Sequence, residues 1–400
     1  MEQMSWLPVA GVRVAAVMAG VKKANRRDLV VFELAPGAHT AGVFTLNRFC
    51  AAPVQVCKQH LQQVAPRYLM INTGFANAGT GEAGLKDCLQ TCELLARHAG
   101  CTPQEVLPFS TGVIGQRFPL AAFERGLPDA LQHLDEHGWG RAAEGIMTTD
   151  TRPKIASRRI EIDGVPITIT GISKGAGMIK PNMATMLGFI ATDAAVAPAL
   201  LQQWAQELAD RSFNRITIDG DTSTNDCCML VATGAAKNAE ITEENGDATA
   251  LKQALEQVYV ELAHAIVRDG EGATKFVEIC VEQAASRDDA RVVAETIAHS
   301  PLVKTALFAS DPNWGRILAA VGRAPIAELD VARVNIWLGD VQIVRDGGVA
   351  DSYTEEQGAA VMAQQDIAIR VTLGAGDATD TVWTCDFSYD YVKINAEYRT

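Results

Sequence analysis

The chain has 400 residues, 48% hydrophobic and 21% charged, with a formal net charge of −13. That is enough apolar material for a large core in two or three domains, and the charge content is that of a globular protein, neither disordered nor coiled-coil. The acidic balance, with no cluster of Lys and Arg, argues against a nucleic-acid partner, and no run of eighteen apolar residues offers a membrane span.

The first seventy residues read as strands and turns. The apolar N-terminus carries Glu2 before its run and Arg13 within it, so it reads as a strand entering the fold and not as a signal peptide. Leu29 to Leu34 and Gly42 to Leu46 are β-rich and separated by the Pro36–Gly37 turn signal, and Val54 to Cys57 and Tyr68 to Asn72 read as two more strands. A helix follows from Glu82 to His98, with Leu85, Leu89, Cys92, Leu95 and Ala96 along one face. Val106 to Phe109 is short and apolar and leads into a polar turn, Ser110-Thr111-Gly112, then a helix from Leu120 to Leu134. Arg158 to Ile172 alternates about Asp163–Gly164, a two-residue hairpin signal.

The next stretch, Lys174 to Asp193, organises the chain. Gly175, Gly177 and Pro181 exclude a regular element, and the apolar run Met186 to Ala191 reads as a buried strand beginning at or just after Thr185. Beyond it come a helix from Pro198 to Phe213, a short strand at Arg215 to Ile218, the polar loop Asp219 to Asp226 and a strand from Cys227 to Ala232. A long helix from Ala248 to Val267 and a strand from Phe276 to Val281 follow. The remainder reads as helices at Arg287 to His299 and Asn313 to Val321, a hairpin about Gly339–Asp340, and strands at Ile367 to Leu373 and Thr381 to Phe387. The pattern predicts an α+β or layered α/β fold, with a main domain over 1–284 and a smaller α/β lobe over 285–400.

Four features compete for the chemistry. Gly79-Thr80-Gly81-Glu82-Ala83-Gly84 spells a dinucleotide fingerprint but begins seven residues after the predicted strand ends at Asn72, too far for a strand-turn-helix phosphate cradle. Asp219, Asp221, Ser223 and Asp226 have oxygen-ligand spacing, but no Glu closes the loop, and self-capping turns explain it as well. The nine cysteines have no histidine near their closely spaced pairs, which predicts buried thiols in a reducing, cytoplasmic setting and no metal. Fourth, Thr185 has no local base, because no histidine lies beside it. Cleavage before Thr185 would supply one, since its new α-amino group, with an unperturbed pKa of about 7.7–8.0, would sit beside its own hydroxyl. A hydroxyl capping the start of a strand is the alternative.

At these residues the sequence resembles the self-cleaving glutamate N-acetyltransferases (ornithine acetyltransferases) of the ArgJ family. KGAGMIKPNMATMLGFIATDA carries the resemblance, together with Phe109 to Gly115, Phe213 to Asp226, RDGEGATK from Arg268, SDPNWGRI from Ser310 and the C-terminal YVKINAEYRT. These motifs span nearly the whole chain in order. Phe75, in NTGFANAGTG, departs from the family pattern, which has a polar residue there.

The resemblance implies a layered α-β-β-α core of the ArgJ/DmpA-like type and self-cleavage between Ala184 and Thr185 into fragments 1–184 and 185–400, associated as a heterotetramer of two of each. It implies that Thr185 takes acetyl from N2-acetyl-L-ornithine and passes it to L-glutamate by a ping-pong route, with Thr111 and Gly112 as the oxyanion hole. Thr148, Lys174, Glu271, Asn395 and Thr400 would contact substrate. No cofactor is implied, and acetyl-CoA stays open as a first donor. Related N-terminal-nucleophile aminopeptidases are the rival enzyme class.

Overall fold

The hairpin predicted about Asp163–Gly164 is formed by two residues of positive φ, 48° and 76°, the conformation that a two-residue turn requires. It joins two of the strands in a computed structural model that describes residues 6–22, 25–180 and 186–397. The chain divides into two units. One comprises Met1–Gly175, Pro181–Asn214 and Thr222–Ile266, and the other Ala176–Lys180, Arg215–Asp221 and Val267–Thr400.

The first unit carries nine strands among its described residues, numbered in chain order. They are β1 (Val12–Val17), β2 (Leu29–Leu34), β3 (His39–Phe44), β4 (Tyr68–Phe75), β5 (Val106–Val113), β6 (Lys154–Ile162), β7 (Val165–Lys174), β8 (Leu187–Thr192) and β9 (Cys227–Ala232). They form a four-stranded sheet, β1-β2-β4-β5, and a five-stranded sheet, β3-β9-β8-β7-β6. The two sheets share one core: Val14, Phe32, Ile71 and Phe109 of the first meet Ile172, Phe189 and Met229 of the second. Phe189 stands edge-on to Phe109 with ring centroids 5.0 Å apart, a favoured aromatic geometry.

Helices cover both outer faces. The described helices of this unit are α1 (Ala52–Gln63), α2 (Gly81–Ala99), α3 (Leu120–Gln132), α4 (Trp139–Gly145), α5 (Pro198–Arg211) and α6 (Gly246–Arg268), the last up to Ile266. On the smaller sheet, Ala15, Leu29, Val31 and Met70 pack with Cys92 and Leu95 of α2 and Phe123 and Leu127 of α3. On the larger sheet, α6 lies over β7, where Leu262 and Val258 reach Gly171, and Gln202 of α5 bonds both the N–H and the carbonyl of Gly42. The order is therefore α-β-β-α, as expected. The fold is a mixed α/β one.

Val54 to Cys57 and Arg215 to Ile218 differ from the sequence reading. Val54 to Cys57 belongs to α1 and not to a strand: Pro53 stands in the first turn, and buried Ala52, Val56 and His60 recur at helical spacing. Arg215 to Ile218 makes only a 3-10 turn ending at Arg215 and one bridge, Ile216 to Trp383.

The second unit holds a six-stranded sheet in the order β13-β12-β11-β14-β10-β15. Its strands are β10 (Phe276–Ala284), β11 (Asn335–Leu338), β12 (Val341–Arg345), β13 (Gly348–Val349), β14 (Asp366–Thr372) and β15 (Ala378–Cys385). Its core joins Val277, Ile279, Ile336, Ile369 and Val382 of the sheet to α7 (Arg287–Ala298), α8 (Pro301–Phe308) and α9 (Trp314–Gly322). Two more helices, α10 (Glu355–Met362) and α11 (Tyr389–Ala396), complete it. Ser286, Ser300, Asn313, Thr354 and Ser388 each cap one of these helices by accepting a backbone N–H. Such a cap contributes about 1 kcal/mol, which helps short helices such as α8 and α11 to hold.

Candidate active site

Thr111 and Gly112 do not form the turn expected of them. They continue β5, which pairs in parallel with β4 and is the outermost strand of its sheet. Gly112 has a φ of 134°, and a Cβ there would come 2.5 Å from the carbonyl oxygen of Gly74 and 2.6 Å from the nitrogen of Phe75. Only glycine fits this close approach of two backbones.

Asn225 locks the strand in place. Its amide donates to the carbonyls of Ala76 (2.6 Å) and Ser110 (2.9 Å), while the Ser110 hydroxyl donates to Asn72 (2.6 Å). Asn225→Ala leaves those two buried carbonyls without that donor. We expect a loss of about 1–3 kcal/mol, read as a lower denaturant midpoint, with no loss of the β9 strand by circular dichroism.

Lys174, at the end of β7, is buried and donates to the Thr111 hydroxyl at 3.3 Å. Beside it lies a group that sequence reasoning missed. The Asp150 carboxylate accepts from Lys154 Nζ (2.6 Å), from the Thr148 N–H (2.9 Å) and from the Gly175 N–H (2.8 Å). Asp150 and Lys154 are both almost wholly shielded, with side-chain exposures of 0% and 1%. Burial opposes ionisation of Asp150, but the Lys174 and Lys154 ammonium groups and these hydrogen bonds outweigh it and hold the carboxyl well below its usual range. One carboxylate thus ties together Thr148, Lys174 and the start of the glycine-rich loop. Two ammonium groups surround it, a setting that favours an anionic ligand.

Asp226 behaves in the opposite way. Burial pushes its carboxyl well above the usual range, against the pull of Ser223 and Lys174, and its Oδ2 has no hydrogen-bond partner among the described residues. Its place is set by β9, since the next residue, Cys227, donates its N–H to the Met186 carbonyl at 2.9 Å.

In the second unit Glu271 is buried at 7% exposure, and its Oε2 accepts from the Asn395 side chain of α11 at 2.8 Å. Asn395 also donates to the Tyr391 carbonyl, and Ser388 donates to the carbonyl of Gly272, so α11 is seated beside Glu271. The structure thus pairs Lys174 with Thr111 and Glu271 with Asn395, each within its own unit. Ala184, Thr185 and Thr400 lie outside the described residues.

The other candidates have local roles. In the dinucleotide-like pattern, Asn77 donates to the Gly84 carbonyl (2.9 Å) and Thr80 to Asn77 (2.7 Å), so the loop packs on itself before α2. Asp219 accepts backbone N–H groups from Met178 (2.6 Å), Ile179 (2.9 Å) and Asp221 (3.2 Å).

Residues 13–400 match the model of the ArgJ family. The arginine biosynthesis bifunctional protein ArgJ of Pseudomonas syringae pv. tomato is 58% identical over 394 residues, covering 98% of this chain and 97% of that protein. The protein of the same description from Pseudomonas fluorescens is 57% identical over the same shares. A crystal structure of arginine biosynthesis bifunctional protein ArgJ from Bacillus halodurans is 39% identical, with a TM-score of 0.49, over 51% of this chain and 95% of that chain. The match runs from the first strand to the last residue, and the chain belongs to the ArgJ family.

Proposed function

We propose that this chain moves an acetyl group from N2-acetyl-L-ornithine to L-glutamate through an ester on Thr185, after cleaving itself between Ala184 and Thr185. As an ArgJ-family enzyme it is an acyltransferase of arginine biosynthesis, and the near full-length identity to proteins of that description carries the reading. In the first half-reaction the Thr185 hydroxyl adds to the acetyl carbonyl, its proton passes to the Thr185 α-amine, and the amide C–N bond breaks. The departing ornithine nitrogen takes that proton. In the second half the glutamate amine attacks the ester and the threonine hydroxyl is restored. One amide replaces a similar one, so the transfer needs no cofactor and no energy source, and it follows ping-pong kinetics.

Thr111 and Gly112 serve the developing oxyanion, a role supported by their place on a strand with a ladder neighbour on one side only. Lys174, with Thr148 beside it through Asp150, takes the substrate carboxylate. Glu271, Asn395 and Thr400 take the ornithine ammonium, which gives a reason for a carboxylate as buried as Glu271. The bifunctional description of the relatives leads us to add acetyl-CoA as a second first-step donor. We place the cleaved enzyme in the cytoplasm as a pair of heterodimers. No described helix is long and apolar enough to cross a membrane.

Initial rates measured over a grid of N2-acetyl-L-ornithine and L-glutamate test the reading. Parallel double-reciprocal lines with N-acetylglutamate as product are expected. Release of acetate without dependence on glutamate would make the protein a hydrolase instead. Acetyl-CoA in place of acetylornithine tests the second donor.

A further inference from the structure

The segment Ala176–Lys180 follows Lys174 but belongs to the second unit, where backbone bonds hold it at both ends. The Ala176 carbonyl accepts the Glu271 N–H at 2.8 Å. Met178 and Ile179 donate their N–H groups to Asp219, and the Ile179 carbonyl accepts from the Ile218 N–H (2.8 Å) and the Thr217 hydroxyl (3.0 Å). Met178 takes a φ of 56°, unusual for a residue with a side chain and a sign that the segment's path is imposed by these bonds. Between the anchors lies Gly177. A Cβ built on it would sit 2.5 Å from both the Cδ and Oε2 of Glu271 and 2.6 Å from its Oε1.

We infer that Gly177 is a positioning residue for the ammonium subsite: the volume of its absent side chain is where the Glu271 carboxylate rests. The inference rests on the role proposed for Glu271. Three observations support it. The φ of Gly177 is outside the positive region, so its backbone accepts alanine and the glycine is needed for space alone. The segment cannot retreat from an added methyl, because five hydrogen bonds on its neighbours fix it. The carboxylate, at the end of a flexible side chain, is what moves. Among the described residues it accepts from the amide of Asn395, so a displaced Glu271 loses both its place and that partner.

The test compares two donors of equal chain length, N2-acetyl-L-ornithine and N2-acetyl-L-norvaline, which lacks the side-chain amine, with L-glutamate as acceptor. A charge-assisted hydrogen bond is equivalent to roughly a 10- to 100-fold preference. Glu271→Gln is expected to lower the preference for the ornithine donor by that order. Gly177→Ala is expected to lower it by about ten-fold, through KM and not kcat, with the two fragments still formed on intact mass. Adding Glu271→Asp to Gly177→Ala shortens the carboxylate by one methylene and should restore part of the preference.

If Glu271→Gln lowers the preference and Gly177→Ala leaves it unchanged, or lowers activity on both donors alike, the inference about Gly177 is wrong while the role of Glu271 stands. If Glu271→Gln itself leaves the preference unchanged, the ammonium subsite has been misassigned and the inference goes with it.

Discussion

Thr185→Ala is expected to yield one uncut chain of 400 residues with no measurable acetyl transfer. On the proposed route two functions of one hydroxyl are removed together: the attack on the Ala184 carbonyl, and the exposure of the α-amine that would act as the base. Loss of a catalytic nucleophile reduces turnover by about 10⁴-fold or more, so residual transfer should lie at the detection limit. Thr185→Ser keeps an oxygen and a primary amine in reach, and should still cleave, more slowly, with some transfer. Intact mass under denaturing conditions separates the cases. Two fragments from the alanine variant would show that another group performs the cut, and the route through Thr185 would have to be abandoned. An uncut wild type that still transfers acetyl would remove the need for the terminal amine as base.

Asp150→Asn should be the most damaging single change away from Thr185. It leaves the Lys154 ammonium buried without its carboxylate, where side-chain exposure is 1%. Removing one partner of a buried ion pair typically costs about 3–5 kcal/mol, whereas replacing both partners by apolar groups of similar size is often close to neutral. The double variant Asp150→Asn, Lys154→Met should therefore recover much of the stability lost by the single one. Substrate affinity should stay weak, because Thr148 and Gly175 have lost the full carboxylate that held their N–H groups. The pH dependence has a definite sign. The carboxyl is held below its unfolded value of about 3.9, so its contribution is complete above that pH and is lost as pH falls towards the folded value. The stability gap between wild type and Asp150→Asn should be constant from about pH 8 to pH 5 and narrow below about pH 4. A gap that widened in acid, or a double variant no better than the single, would show that the ion pair is not what Asp150 contributes.

Much of this molecule is written locally in its sequence. Asp163–Gly164 makes a hairpin because two adjacent residues tolerate positive φ, and Cys227 to Ala232 makes a strand because six apolar residues are bounded by polar turns. The family too is legible in the sequence, because its motifs, from Phe109–Gly115 through Lys174–Asp193 to the C-terminal stretch, are short runs of adjacent residues. Tertiary structure decided what depends on partners far along the sequence. Val54 to Cys57 is as apolar as a strand, and the buried face of α1 is what makes it helical. Ser110 to Gly112 looks like a turn until Asn225, more than a hundred residues later, takes the Ser110 carbonyl and β4 supplies a parallel neighbour. Nothing local in the sequence singles out Asp150 and Lys154. They are a buried pair on the way into β6, because Gly175 and Lys174 close over them. Gly177 reads as one more flexible glycine, and only its distance to Glu271 gives it a role. Turn, strand and helix preferences are settled by a few adjacent residues, whereas burial, charge state and free volume depend on every group that folds against the site.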